Sequence, residues 1–297
     1  MISFVCPRCK IGLDQTAPDE FRCSQDGLTF HKVDGIWRFL LPERMEYFAR
    51  FIADYETVRR FEGRGSADES YYRTLPYHPT RDWQIRATSF LALLKQVIIP
   101  IEKNKNLLQI LDLGAGNSWL SDQLASRGHA VTAVDLTIND FDGLGCHRFY
   151  ESTFMPVQAE FDYLPFPEKI MDIVLFNASL HYSGNYEHSL QESLRLLDVD
   201  GRLVVLDSPV YRDADSGRSM VREREEHFTK RYGFASDSLQ SENYLTYQRM
   251  EEIAAKLGIT WHHIRPFYGI RWSMRPWLAR LRGSREPAEF GLWIGEL

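Results

Sequence analysis

The stretch LLQILDLGAGNSWLSDQLASRGHAVTAVDL, Leu107 to Leu136, constrains the fold of this chain more than any other. An apolar run, Leu108 to Leu113, meets a tight turn holding Gly114 and Gly116. An amphipathic segment follows, and then a second apolar run, Ala130 to Asp135. Strand, glycine turn, helix and strand make a βαβ unit, and such units build parallel sheets. Glycine at 114 and 116 permits backbone angles and a close ligand approach that a Cβ would block. Asp135 ends the second strand about 20 residues past the turn, where a carboxylate accepts hydrogen bonds from ribose hydroxyls. A nucleoside-containing ligand fits this pattern.

Downstream the alternation continues. Ile173 to Asn177 and Leu203 to Asp207 read as strands. After the helical QRMEEIAAKLG come Thr260 to Ile264 and Phe290 to Ile294, joined as a reversing hairpin across an arginine-rich stretch. The expected fold is α/β, a doubly wound, mostly parallel, seven-stranded sheet over 106–297 with a lid insertion at 208–245. The insertion's MVREREEHFTKRYG is charged all round, as a mobile lid or a solvated helix is. Residues 43–105 read as a helical cap, in which Phe90, Leu91, Leu94, Val97 and Ile98 recur at three- and four-residue spacing. Residues 1–42 are cysteine- and turn-rich and read as a small separate module.

With 44% hydrophobic residues in 297, the chain can bury a sizeable core. Its net charge of -6 argues against a surface that is wholly a nucleic-acid footprint. No apolar run approaches the roughly 20 residues of a membrane span, and MISFVCPRCK lacks a signal peptide's apolar centre. The expectation is therefore a cytoplasmic protein with no membrane partner.

Two details narrow the ligand. A dinucleotide fingerprint would need glycine where Trp119 stands. Asp112, just ahead of the loop, would repel a pyrophosphate, yet it can hydrogen-bond, directly or through water, to a cationic amino-acid end. S-adenosylmethionine has such an end and NAD does not. On these residues the chain resembles the class I methyltransferases, and within them the group that includes the ubiquinone and menaquinone C-methyltransferases. Their loop reads acidic-x-Gly-x-Gly-x-Gly, matched by Asp112, Gly114 and Gly116, with Ser118, a good helix N-cap, in place of the third glycine.

The resemblance covers about 106 to 210. It implies S-adenosylmethionine as cofactor, lodged against Asp112, Gly114, Ala115, Gly116, Asp135 and Leu136. The segment QAEFDYLPFPEKIMDIVLFNASLHY extends it. By that match Glu160 would accept from the adenine amino group, Phe161 would offer its backbone N–H to the ring, and Asn177 would sit where the strand opens on the methyl.

Methyl transfer from a sulfonium is an in-line displacement, so the protein must mainly align the acceptor and exclude water. A base is needed only where the acceptor keeps a proton of high pKa. His181, four residues past Asn177, is the candidate, with a packing role as the alternative. Asn177 is followed by Ala178 and Ser179, so the D/N-P-P-Y/F motif of amino-methylating nucleic-acid enzymes is missing, as is a Pro-Cys nucleophile.

The acceptor pocket is expected from the insertion and from 55–77, the latter as a roof over the methyl, with Tyr55, Arg59, Tyr72 and Tyr77 as contacts and Arg60 and Arg73 nearby. An amphipathic cap with core aromatics and solvated arginines is the other reading. The acceptor is expected to be a small molecule, methylated at O, N or C. The alternatives are an RNA base gripped through the N-terminal module and a non-catalytic cofactor-binding subunit.

Cys6 and Cys9 form a C-x-x-C knuckle, and Cys23 opens a second turn in which Asp26 stands where a fourth cysteine would close a tetrahedral zinc site. The segment resembles the zinc ribbon ahead of some methyltransferases, including ribosomal-RNA guanine-N1 enzymes, and the ribbon-like activator of others. A structural zinc on Cys6, Cys9, Cys23 and Asp26 is expected, with His31 as the alternative fourth ligand and a metal-free ribbon as the alternative to both.

Overall fold

The computed structural model describes residues 3–234 and 239–297, so 235–238 of the expected lid insertion and the first two residues of the N-terminal module lie outside the described residues. The strands are β1 (Asp14–Ala17), β2 (Glu20–Arg22), β3 (Thr29–Val33), β4 (Ile36–Arg38), β5 (Gln109–Leu113), β6 (Ala130–Asp135), β7 (Met155–Gln158), β8 (Met171–Asn177), β9 (Leu197–Leu206), β10 (Val210–Tyr211), β11 (Leu245–Thr246), β12 (Thr260–Ile264) and β13 (Leu292–Glu296). The helices are α1 (Pro42–Phe61), α2 (Ser70–Arg73), α3 (Arg81–Leu93), α4 (Ile99–Glu102), α5 (Trp119–Ala125), α6 (Tyr186–Leu196), α7 (Ala214–Tyr232), α8 (Tyr247–Leu257), α9 (Ile270–Ser273) and α10 (Arg275–Leu281).

The order β7-β6-β5-β8-β9-β13-β12 is the expected doubly wound sheet, with β13 alone antiparallel to its neighbours. Strands β5 and β8 bear fully buried side chains at nearly every position, as a sheet covered on both faces requires. The chain winds from β5 through β6 to β7 in one direction and from β8 to β9 in the other. The order therefore reverses between β5 and β8, and ligands of such sheets bind beyond the carboxyl ends at that point.

Strand β7 is the member of the expected seven to which the sequence assigned no residues. It is four residues long and contains Pro156, which cannot donate to a ladder, so its sequence carries little strand signal. The N-terminal module continues the sheet across β7. Trp37 and Arg38 of β4 pair in parallel with Val157 and Gln158, and the Phe39 N–H donates to the Gln158 carbonyl at 2.8 Å.

The module also shares the main core. Phe4 lies 4.6 Å from Phe39 and 6.0 Å from Phe166, ring centre to ring centre, within one apolar cluster. Burying each such ring is worth about 1.5–3 kcal/mol, so the ribbon covers an otherwise open sheet edge and is bound to it by packing. Lys10 adds an ion pair to the half-buried network of Glu192.

Helix α7, in the insertion, is capped by Asp213, which accepts from the Ser216 N–H at 2.7 Å, and ends at Gly233 with φ +82. Its faces are mostly exposed, in keeping with its charged sequence. Among the described residues no helix is long and apolar enough to cross a membrane.

Candidate active site

Two adjoining cavities open beyond the carboxyl ends of β5 and β8, each of about 270 Å³. Both are lined by Gly114, Gly116, Ala178, Tyr55 and Tyr182, so they meet over the glycine loop. Gly114 has φ +76, and a Cβ there would fall 2.3 Å from the Ser179 Cβ, so only glycine fits. The Ser179 hydroxyl pins this approach by donating to the Leu113 carbonyl at 2.5 Å. Gly116 turns its N–H to Asp135 Oδ2 at 2.8 Å, and Ala115 hydrogen-bonds back to the Val134 carbonyl at 3.0 Å.

Ser118 does precede α5, but not as a side-chain cap. It sits at φ +65, a left-handed backbone that costs a non-glycine residue about 1–2 kcal/mol, and its hydroxyl is buried without a partner among the described residues. The family's third glycine would relieve that strain.

Asp112 lies beneath the loop, fully buried. Its Oδ2 accepts from Ser121 at 2.8 Å and its Oδ1 has no partner among the described residues. Burial is the main force that pushes its carboxyl up to about 7, and the nearby Asp135 charge adds to it. Asp135 lines the first cavity together with Leu136. It accepts from Thr137 N–H and Oγ1 on one oxygen and from Gly116 on the other, which leaves a lone pair free.

Glu160 and Phe161 line the same cavity, but Glu160 has a partner that sequence reasoning missed: Arg44 of α1 grips both its oxygens at 2.6 Å. Arg44 in turn lies over the rings of Tyr47 and Phe48, so α1 roofs this cavity. The two partners stand 116 residues apart, and no local pattern links them.

The second cavity holds Asn177 and His181. Asn177 is buried and its Oδ1 has no partner among the described residues. His181 is buried against Ser208 at 3.4 Å, and its pKa falls to about 3, first through burial and then through the charges of Arg224 and Arg86. A neutral imidazole of that strength is a poor base at neutral pH.

Asp207, also missed, stands just past β9 at φ +54. Its Oδ1 accepts from Ser89 at 2.5 Å, its Oδ2 is buried without a partner among the described residues, and the residue is part of this cavity's lining. Burial raises its carboxyl to about 6. The sequence marked Asp207 only as a strand end; its role depends on a backbone angle and a cavity that have no sequence signature.

Of the expected acceptor contacts, Tyr55 and Arg59 do line the second cavity, Arg59 while ion-paired to Asp142. Tyr72 and Tyr77 are not brought to either cavity. Tyr72 is fully buried and stacked on Phe149, and its hydroxyl donates to the Phe141 carbonyl at 2.8 Å, so it is packing. Tyr77 is exposed. The roof begins earlier than 55–77, at Arg44. Arg86 enters the second cavity with no hydrogen bond or ion pair among the described residues, its guanidinium over the Trp83 ring at 5.2 Å. None of Cys6, Cys9, Cys23 and Asp26 lines either cavity, and their ligand atoms all lie within 4.8 Å of one another.

Residues 111–205 match the family model described as "Methyltransferase domain". The chain carries a class I methyltransferase domain. Demethylmenaquinone methyltransferases of two Tropheryma whipplei strains are each 32% identical to this domain over 99 residues, which is 33% of this chain and 40% of theirs. The chain thus spans about 40% of the length of these curated relatives. Among solved structures, the CurJ carbon methyltransferase superposes with a TM-score of 0.51 at 12% identity, over 75% of this chain and 57% of its own. An S-adenosylmethionine-dependent methyltransferase from Mesorhizobium loti gives 0.47 at 18% identity, over 64% and 91%. At 12% identity the CurJ likeness bears on the fold alone.

Proposed function

We propose that this chain transfers the methyl group of S-adenosylmethionine to a small-molecule acceptor. The observation that carries the proposal is the pair of cavities meeting over Gly114 and Gly116, one walled by Asp135, Leu136, Glu160 and Phe161, the other by Asn177, His181 and Asp207. The donor set fits the cofactor. Asp135, in the first cavity, keeps a lone pair for a ribose hydroxyl, and Asp112, buried beneath the loop and lining neither cavity, has an oxygen without a partner among the described residues that suits an ammonium end.

When bound, the cofactor supplies an electrophilic methyl on a sulfonium. The chain does the rest: α1 closes the first cavity through Arg44 and Phe48, Tyr55 and Tyr182 stand at the junction, and Asp207 offers an oxygen to take the acceptor's proton. The demethylmenaquinone enzymes that resemble this domain also act on a small molecule. Incubating the protein with methyl-labelled cofactor and separated small-molecule and RNA extracts tests the reading. Label in the small-molecule fraction is expected; label in RNA alone would contradict it.

A structural zinc on Cys6, Cys9, Cys23 and Asp26 belongs to the same proposal. Tetrahedral zinc with bonds of about 2.0–2.3 Å sets its ligands closer than about 4 Å, so a cluster within 4.8 Å needs only a small contraction. His31, the alternative ligand, instead faces Glu20 at 3.6 Å from β3. Elemental analysis of protein purified without added metal is expected to find one zinc per chain, and chelation is expected to lower the melting temperature, because the ribbon is part of the main core. Metal-free protein with the same melting temperature would show that the ribbon stands on its apolar residues alone.

A further inference from the structure

Between β12 and β13 the chain inserts RPFYGIRWSMRPWLARLRGSR, residues 265–285, which hold six arginines and no acidic residue in a protein of net charge -6. Helices α9 and α10 fill most of it, separated only by Met274. Phe267, Ile270, Met274, Trp277 and Leu281 recur at steps of three and four, the spacing by which a helix normally hides an apolar stripe. Here the stripe is outside, with each of the five between 42% and 71% exposed.

The charges beside it are equally unspent. Arg265 and Arg285 pair with Glu289 and Glu223, but Arg271, Arg275, Arg280 and Arg282 make no ion pair among the described residues. Arg275 lies over the Trp272 ring at 3.8 Å. An apolar stripe with tryptophan, flanked by unpaired arginines, is the composition of a helix lying in a membrane interface. A contact with a protein core would leave these cations without counter-charges, whereas lipid phosphates supply them.

We propose that residues 265–285 dock this protein on an anionic lipid surface, with the apolar stripe among the acyl-chain ends and the four free arginines at the phosphates. The sequence expectation of no membrane partner rested on the lack of a span, which surface docking does not require. The docking face adjoins the acceptor cavity. Tyr268 hydrogen-bonds at 2.8 Å to Ser89, which holds Asp207, and Trp272 packs 5.4 Å from Phe290 of the cavity wall.

Co-sedimentation of the full chain with phosphatidylcholine vesicles, with and without phosphatidylglycerol, tests this. Binding to the anionic vesicles is expected to exceed that to neutral ones by at least about tenfold and to weaken with salt. Arg271→Glu with Arg280→Glu is expected to remove it, and Trp277→Ser with Leu281→Ser to reduce it at least about tenfold, both pairs with unchanged melting temperature because the side chains are exposed. Equal binding to the two vesicle types, no binding to either, or full binding by both variant pairs would overturn the proposal. So would a dimer in light scattering that Leu281→Ser dissolves in protein that ignores vesicles, since the stripe's occupant would then be a second copy.

Discussion

Asp207→Asn is expected to lower turnover by about 10²–10⁴-fold, the range for a lost general base. Binding of S-adenosylmethionine should stay within about twofold, well under 1 kcal/mol. Asp207 is held past the end of β9 at φ +54, Ser89 occupies one of its oxygens, the other is buried without a partner among the described residues, and the residue lines the second cavity. His181, the base expected from the sequence, has its pKa lowered to about 3 by burial and is engaged with Ser208.

Burial sets the pH dependence. Asp207 accepts a proton only as carboxylate, and its pKa is raised to about 6, so the wild-type rate should rise through about pH 6 and level above it. The Asn variant should lack that limb. Initial rates across pH with the acceptor found by labelling check this, and an Asp207→Asn enzyme with the wild-type rate would remove Asp207 from the chemistry.

Asp112→Asn should pull stability and binding in opposite directions. The Asp112 carboxyl is raised from 3.8 to about 7, chiefly by burial, so the folded apoprotein favours the protonated form. The sign follows: stability tied to this group is fully present below about pH 4 and is lost as pH rises through about 7, because the buried carboxylate must then ionise. Relative to the Asn variant, wild-type apoprotein should lose on the order of 2–4 kcal/mol across that window, visible in thermal unfolding.

A cationic amino-acid end beside Asp112 reverses the balance by favouring the carboxylate. Wild-type cofactor affinity should therefore rise with pH through about 7, and the Asn variant should bind at least about tenfold more weakly, within the 1–3 kcal/mol of an unmet buried partner. Parallel stability curves for the two proteins would show that Asp112 is not the ionising group.

The sheet was legible where its residues signal locally. β5, β6 and β8 stand within two residues of where the apolar runs place them, since buried parallel strands are written as continuous apolar segments, and β12, a largely exposed antiparallel edge strand, falls at the expected Thr260–Ile264. Phe290 to Ile294 slid to Leu292–Glu296, because Pro287 and Gly291 leave the strand's start ill-marked. β7 and the union of β4 with it were not legible, because Pro156 breaks one pattern and strand pairing across more than 100 residues leaves none.

The site divides in the same way. The glycine loop and Asp135 form a spaced motif, while Arg44, Asp207 and Arg86 acquire their roles only from the cavities they enter. Tyr72 reads the same in sequence whether it is core or contact; its stacking on Phe149 decides for core.

The central claim is that the loop from Asp112 to Gly116 and the carboxylate of Asp135 hold an aminoacyl nucleoside. Titration calorimetry of the purified chain with S-adenosylmethionine, its demethylated product and NAD tests it most directly. The first two are expected to bind, weakened by about 1–3 kcal/mol in Asp135→Ala through loss of a buried hydrogen-bond partner, and NAD is expected not to bind. NAD binding without S-adenosylmethionine binding would contradict it.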